Sequence, residues 1–484
     1  MHPGRRPARL SSLVVLTLSL MASTARAQPA PAASPAESPR SPRSPGNLAD
    51  APAPTMTMAQ ALAYARAHQP AIREALALVS ARAEEARVPS AQWLPTVGVT
   101  AQLFAMTANN TTATFVQVAP MDIPRIGASA ATRTGSWSPY ASTLVGAGLS
   151  QEVFDFGRIG AQRAAADAQV DVEKHRAETQ RLDVDFGVEE AFFAVAAAEA
   201  VVQASDDAYE RSRVHRDLAK RGVDSGLRSP IELTRAEADL DRYDVGRVRA
   251  RGGVAVAQSV LAAAIGAPDA TVDVAGPIPA PGDMPALGEA LALAQQRDPR
   301  LAETIAELKA AEEHTRAVGA ELRPDVSLTA TLSGRAGGAP PSSGPSARDD
   351  GWVPNVPNWD AGLVLSWPLF DGTVAARRSA ARSMEQARRD DIDVLRDQVV
   401  ALVRQAYVGV DVARSALGAL QSEVSAARAN YDQADARFRA GIGNAVELAD
   451  AESVRTDAEI QLALGTFDVA RARAAFGRAI AEGL

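Results

Sequence analysis

The chain has 484 residues, no cysteine and a formal net charge of -8. The missing thiols exclude disulfides, zinc-thiolate sites, a cysteine nucleophile and the N-terminal acylated cysteine that anchors many bacterial envelope lipoproteins. The acidic balance argues against nucleic acid as a partner, and few aromatics (5%) with abundant alanine suit long helices packed closely side by side.

Residues 1–27 read as a signal peptide. Arg5, Arg6 and Arg9 give a basic start, Leu10 to Ala22 a mostly apolar run, and Ala25-Arg26-Ala27 a small-x-small cleavage site. The run is shorter than the roughly 20 apolar residues a transmembrane helix needs. No later stretch is long and apolar enough either, which argues against a helical inner-membrane transporter. Residues 28–56 are rich in Pro, Ala and Ser and predict a disordered or extended lead, because they cannot bury enough apolar surface to fold.

Thr57 and Gln60 have capping-box spacing before a helix that Pro70 interrupts. A second helix is expected to about Arg87, ended by Pro89 and Pro95. Beyond Pro95 the period becomes two, with Val97, Val99, Ala101 and Leu103 on one face. Residues 107–138 read as a long Gly/Pro-punctuated loop, and alternation returns from Tyr140 to Phe154. From Gly157 to about Gly222 the chain reads as one helix of about 65 residues, roughly 100 Å long. The stretch DSGLRSPIE breaks it, and a return helix runs from about Pro230 to Ile265.

The chain then repeats itself. Leu62, Pro70, Ala81, Pro95 and Val97 recur at one fixed offset as Leu291, Pro299, Ala310, Pro324 and Val326. Gly157, Gly226, Glu232, Leu233 and Glu237 recur at a second fixed offset as Gly372, Gly441, Glu447, Leu448 and Glu452. Each copy is too long for a solenoid unit, so this is a duplicated domain. The copies span residues 57–266 and 286–484, joined by a linker at 267–285. The second copy predicts strands at Val326–Leu332 and Trp359–Phe370, a loop at 333–357, a long helix from about Thr373 to Phe438 and a return helix from about Ala445 to Ala481. In that long helix Ile392, Leu395, Val399, Leu402, Ala406, Val410 and their successors to Tyr431, Ala434 and Phe438 step by threes and fours, the coiled-coil period. The first-copy helix is less regular, with Ala177, Gly187 and Ser205 at matching positions.

Two strands per copy make four per chain, too few to close a barrel, which takes about eight. Several chains sharing one barrel would remove the sticky edges and cross a membrane legally. The loops 107–138 and 333–357 would then face outward and every helix would leave from the other side.

At this point the chain resembles the TolC-like outer-membrane efflux protein family. The resemblance is carried by the duplicated plan, the strand-to-helix junctions GLSQEVFDFG and GLVLSWPLFDG, and the turns DSGLRSPIELTRAE and RAGIGNAVELADAE. It implies a mainly α fold with a small β part: a homotrimer whose twelve strands form a transmembrane β-barrel continued by a periplasmic α-helical barrel. It also implies a non-catalytic exit duct of tripartite drug efflux or type I secretion systems in the outer membrane of a Gram-negative bacterium. The implied partners are outer-membrane lipid, a periplasmic adaptor and an inner-membrane transporter of the RND, ABC or MFS type. A periplasmic adaptor or a secreted coiled-coil scaffold are the competing readings. An adaptor should carry one hairpin rather than two, and a scaffold has no use for the strands.

No cofactor or metal is expected. The five histidines lack partners at ligand spacing, and no nucleophile elbow or phosphate loop occurs. Trp359 and Trp367, and less strongly Trp137, Trp352 and Tyr140, suit an interfacial aromatic belt, or simply buried aromatics at sheet ends. Gly226 and Gly441 suit tight turns between helices. The resemblance places adaptor docking on Ser225-Gly226-Leu227 and Ala440-Gly441-Ile442, and a gate on Glu447 and Asp450, with Glu232 as the matching first-copy acid. Asn444-x-x-Glu447 and Ser229-x-x-Glu232 also read as capping boxes. The resemblance also implies that Gly443 stands where the family's founding member has a basic residue that helps lock the closed tip, so a closed state held more weakly, or by other contacts, is expected here.

Overall fold

The computed structural model describes residues 55–107, 116–118, 121–123, 139–275, 283–336 and 358–482. The signal segment, the lead as far as Pro54, most of both long loops, Trp137 and Trp352 lie outside them. The first described element, β1 (Thr55–Met56), pairs in parallel with Asp273–Val274. The expected lead therefore stops short of Thr55, and the expected linker contains a strand.

The Thr57 hydroxyl accepts the Gln60 N–H at 3.4 Å and the Gln60 side chain accepts the Thr57 N–H at 2.9 Å, so the capping box opens α1 (Met58–His68). Pro70 begins α2 (Pro70–Glu85), where its missing N–H would be unsatisfied anyway. α2 stops two residues before the expected Arg87. Pro89 cannot donate to the carbonyl four residues back, and it sits instead in the first turn of the short α3 (Val88–Ala91).

β2 (Thr96–Thr107) follows. The loop predicted at 107–138 contains a small hairpin, β3 (Val116–Val118) with β4 (Met121–Ile123). β5 (Pro139–Phe154) then leads into α4 (Arg158–Asp224), 67 residues long, and α5 (Pro230–Ala264) returns. After β6 (Asp273–Val274) in the linker, the second copy runs α6 (Leu287–Arg297), α7 (Pro299–Ala320), β7 (Asp325–Ala336), β8 (Asn358–Ser366), α8 (Gly372–Arg439) and α9 (Ala445–Ala479). β8 ends at Ser366 rather than Phe370, because Pro368 has no N–H for the ladder and biases Trp367 away from regular pairing.

Four strands form one antiparallel sheet in the order β2-β5-β7-β8, so β5 and β7 join the two copies. One sheet face carries Val97, Val99 and Leu103, then Val145, then Leu328 and Leu332, then Trp359, Leu363 and Leu365, all exposed. The opposite face is mostly small and polar, with Gly98, Thr100, Gly146, Gly148, Thr329, Ser333 and Gly362. There the Thr331 hydroxyl bonds the Asp360 carboxylate. β2 and β8 remain as open edges.

The long helices pair as α4 with α5 and α8 with α9, and α4 also packs on α9 and α7. In α8 the buried stripe is Ile392, Val399, Val403, Val410, Val424, Ala427, Tyr431, Ala434 and Phe438. Val403 rather than the expected Leu402 faces inward, with Leu402 exposed. α4 is buried on several sides at once. Val188, Phe192 and Val195 meet α1, the end of α5 and α9 in one core, while Ala168 and Val172 meet Ala306 and Ala310 of α7 in another. This explains its irregular period: a helix with neighbours on several flanks needs no single apolar stripe. Among the described residues no helix is long and apolar enough to cross a membrane.

Candidate functional site at the helical turns

Both long helices end in the same hydrogen-bonded turn. Leu227 N–H donates to the Gly222 carbonyl and Gly226 N–H to that of Val223, each at 2.9 Å. In the second copy Ile442 N–H reaches Arg437 and Gly441 N–H reaches Phe438, each at 3.1 Å. This is the Schellman pattern, and it sets Gly226 at φ +70° and Gly441 at φ +75°, where a side chain would be strained. Leu227 and Ile442 are thereby pushed outward, 84% and 73% exposed, with Ile231 and Val446 exposed beside them. Ser225 caps its helix by donating its hydroxyl to the Arg221 carbonyl at 2.8 Å, and Ala440 holds the equivalent place.

The acids do not behave as the capping boxes predict. Asn444 does cap α9, accepting the Glu447 N–H at 2.7 Å, but the Glu447 carboxylate turns to Arg437 at 3.4 Å. Ser229 makes no side-chain cap, and Glu232 pairs with Arg228 at 2.9 Å. In both cases a nearby guanidinium outcompetes a backbone N–H for the charged oxygen. Asp450 is exposed, one turn from Glu447, with no ion pair among the described residues.

Arg228 is the residue that sequence reasoning missed. One of its terminal nitrogens donates to Glu232, the other to the Phe438 carbonyl at 2.8 Å, and the guanidinium lies over the Phe438 ring. It ties the first turn to the end of α8. Gly222 makes room for it, since a Cβ there would sit 2.5 Å from the Arg228 stem. Gly443 carries no basic side chain for a reason visible in the backbone. A Cβ would lie 2.9 Å from the Phe438 nitrogen.

Further along the hairpins, charged groups are buried between α4, α8 and α9. Arg211 contacts Glu452 at 2.9 Å and Glu459 at 3.3 Å, and Glu459 also receives Arg428 and Arg455. Burial raises the Glu452 carboxyl, opposed by Arg211. Burial also pushes the Tyr431 hydroxyl up to about 12. The duplication flagged Glu452 through Glu237, yet Glu237 is exposed. Matching positions in the two copies thus have different work.

Trp359 lies on the apolar sheet face opposite Leu332, at the loop end of β8, and is 75% exposed. Trp367 lies past the helix end of β8, exposed with Leu369 and Phe370. Among the described residues no group of acids or histidines is placed to hold a metal.

A duplicated pair of very long helical hairpins, carried by a four-stranded sheet with one apolar face, defines the class of outer-membrane ducts. The chain belongs to the outer membrane efflux protein family, whose model matches residues 61–267 and 290–482. It is similar to Protein CyaE of Bordetella pertussis, 27% identical over 404 residues that cover 82% of this chain and 78% of the relative. Its fold matches the outer-membrane channel OprN (TM-score 0.65, 21% identity, 88% of this chain and 90% of that one). It also matches the Campylobacter jejuni CmeC outer membrane channel (TM-score 0.68, 17% identity, 88% and 86%). The protein is an exit duct for efflux or secretion in the Gram-negative outer membrane, with a periplasmic helical part. The family is one of channels rather than enzymes. The adaptor and scaffold readings are set aside.

Proposed function

We propose that three copies of this chain assemble into one duct, their sheets closing a twelve-stranded barrel and their hairpins a tunnel, with the turns docked on a periplasmic adaptor that recruits an inner-membrane transporter. The observation that carries this reading is the sheet itself. It has one continuous apolar face and two unpaired edges, β2 and β8. In hydrocarbon an unpaired edge is prohibitive, and joining β8 of one copy to β2 of the next satisfies both. The apolar face then meets lipid, with Trp359 and Trp367 at its two rims.

The exposed Leu227 and Ile442, presented by Gly226 and Gly441 beside Ser225 and Ala440, are the docking contacts. Asp450 and Glu447 ring the entrance, where three copies of each repel one another and concentrate cations. Arg228, clamped between Glu232 and Phe438, holds the closed turn in place of the basic residue that Gly443 excludes. Mass measurement of the folded protein in mild detergent tests the assembly. A trimer is expected, and a monomer with an intact sheet overturns it.

A further inference from the structure

About three helical turns from Gly226, the seam between the two hairpins is built around one histidine. His215 of α4 places Nε2 2.7 Å from the Tyr431 hydroxyl of α8, with the rings edge to face. Its Nδ1 is buried without a hydrogen-bond partner, 3.8 Å from an Asp435 oxygen. That carboxylate is already engaged by Arg439 at 2.8 Å. Arg211 and Arg455 face the Tyr431 ring at 5.9 and 4.8 Å.

The charges around this ring come from every packed element. α4 supplies Arg211. α8 supplies Arg428, Asp435 and Arg439, and α9 supplies Glu452, Arg455 and Glu459. Four guanidiniums thus meet three carboxylates, an excess of one positive charge before His215 gains a proton. Across a cavity of about 260 Å³ that borders His215, α5 presents Glu232, Arg235, Asp239 and Tyr243. Glu232 and Asp239 are paired with Arg228 and Arg242, at 2.9 and 3.5 Å. The cavity gives water and protons a path to the ring.

With Nδ1–H facing Asp435, a neutral ring accepts a hydrogen bond from the Tyr431 hydroxyl at Nε2. A protonated ring donates from both nitrogens, so Tyr431 must turn its own proton away, and a further cation enters a cluster already in positive excess. We propose that His215 is a proton-operated spacer: neutral, it holds α4 against α8, and charged, it loosens the first hairpin from the second at the end that carries the turns. The consequence for flow rests on the duct reading above; the loosening itself does not.

Burial holds His215 below the ordinary imidazole value of 6.5, opposed by Asp435 and assisted by Arg439 and Arg211. A depressed histidine pKa stabilises the packed seam fully above that ordinary value and loses this stabilisation as pH falls below it. Glu452 works in the opposite sense, because a raised carboxyl pKa favours packing as pH falls. Against burial, Arg428, Arg211 and Arg455 lower the Glu459 carboxyl, which also loses packing energy in acid, but only below the ordinary carboxyl value of 4.5. Loosening above that value is therefore assignable to His215.

The absence of native cysteine permits a direct test on the full chain. Spin labels at Lys220→Cys and Asp432→Cys, both exposed and on opposite sides of the seam, are diluted with unlabelled chain. Their separation is measured at about pH 7.5 and about pH 5.5, which bracket the imidazole range. The distance should lengthen in acid in the native background and stay fixed in both His215→Gln and His215→Asn. Open probability in planar bilayers should rise in acid by up to about tenfold for each unit by which the ring is depressed, and only where His215 is present. A native distance indifferent to pH, or an acid shift that survives both substitutions, overturns the proposal. A His215-dependent shift without any change in conductance supports the spacer and overturns the gating role of the turns.

Discussion

The guanidinium carbon of Arg228 lies 3.7 Å from the centroid of the Phe438 ring, so a residue just past the first helical turn is stacked on the last turn of the second long helix. Two hydrogen bonds fix the same side chain to Glu232 and to the Phe438 carbonyl. The first turn is thereby joined to the second hairpin.

Removing that contact should unlatch the turns. Arg228→Ala deletes a cation–π contact worth about 0.5–2 kcal/mol and charge-assisted hydrogen bonds worth about 1.5–3 kcal/mol each at most. Open probability in planar bilayers should rise about tenfold or more. Arg228→Lys should restore only part of the closure, because an ammonium cannot stack on the ring while serving both acceptors as a planar fork does. Equal open probabilities in the native protein and Arg228→Ala would remove the latch.

Backbone conformation at the turns gives a second expectation. Gly226→Val and Gly441→Val each force a β-branched residue to positive φ, at a cost of about 1–2 kcal/mol or more. Gly443→Ala drives a Cβ into the Phe438 backbone. All three should abolish export in a complementation assay, while membrane fractionation shows the chain inserted as before. Normal export in both valine variants would show that the turns are not the coupling site.

Asp450 and Glu447 are expected to act at the entrance. Asp450→Ala, and more strongly the pair Glu447→Ala/Asp450→Ala, should reduce cation preference and block by multivalent metal ions in bilayer recordings. The difference between the two variants separates the acid engaged by Arg437 from the one with no ion pair among the described residues. Conductance, ion preference and block unchanged in both would place these acids away from the pathway.

A fourth expectation concerns pH at the junction of the two copies. Burial raises the Glu199 carboxyl of α4 to about 7, assisted by a shared hydrogen bond and like charge from Asp273 of β6. A carboxyl raised in the fold favours the folded state while protonated, and that advantage is lost as pH rises through about 7. The native protein should therefore melt at a lower temperature at about pH 8 than at about pH 6, and Glu199→Gln should flatten that dependence. A Glu199→Gln melting curve with the native pH dependence would contradict it.

Much of the architecture was legible because it depends on near neighbours in the chain. The alternation at Val97, Val99 and Leu103 places those side chains on one strand face. The capping pair Thr57 and Gln60 acts within one helical turn, and Gly226 and Gly441 each answer to the φ of a single residue. Local pattern also misled where local groups compete. Glu232 and Glu447 satisfy the spacing of a cap, yet each carboxylate goes to an arginine whose position depends on the turn geometry. Leu402 and Val403 fit the apolar stripe equally well on paper, and the packing of α8 on its neighbours chose Val403.

The sequence by itself determined the duplicated plan, the strands, the long helices and the glycine turns, since periodicity and backbone strain are properties of consecutive residues. Only the tertiary structure decided that Arg228 would meet Phe438, His215 would meet Tyr431 and Arg211 would meet Glu452, pairs that lie 210, 216 and 241 residues apart. Helices this long present many turns to one another. Which turns come level is set by how α4 is wedged among α5, α7 and α9, and nothing within a single helix records that alignment.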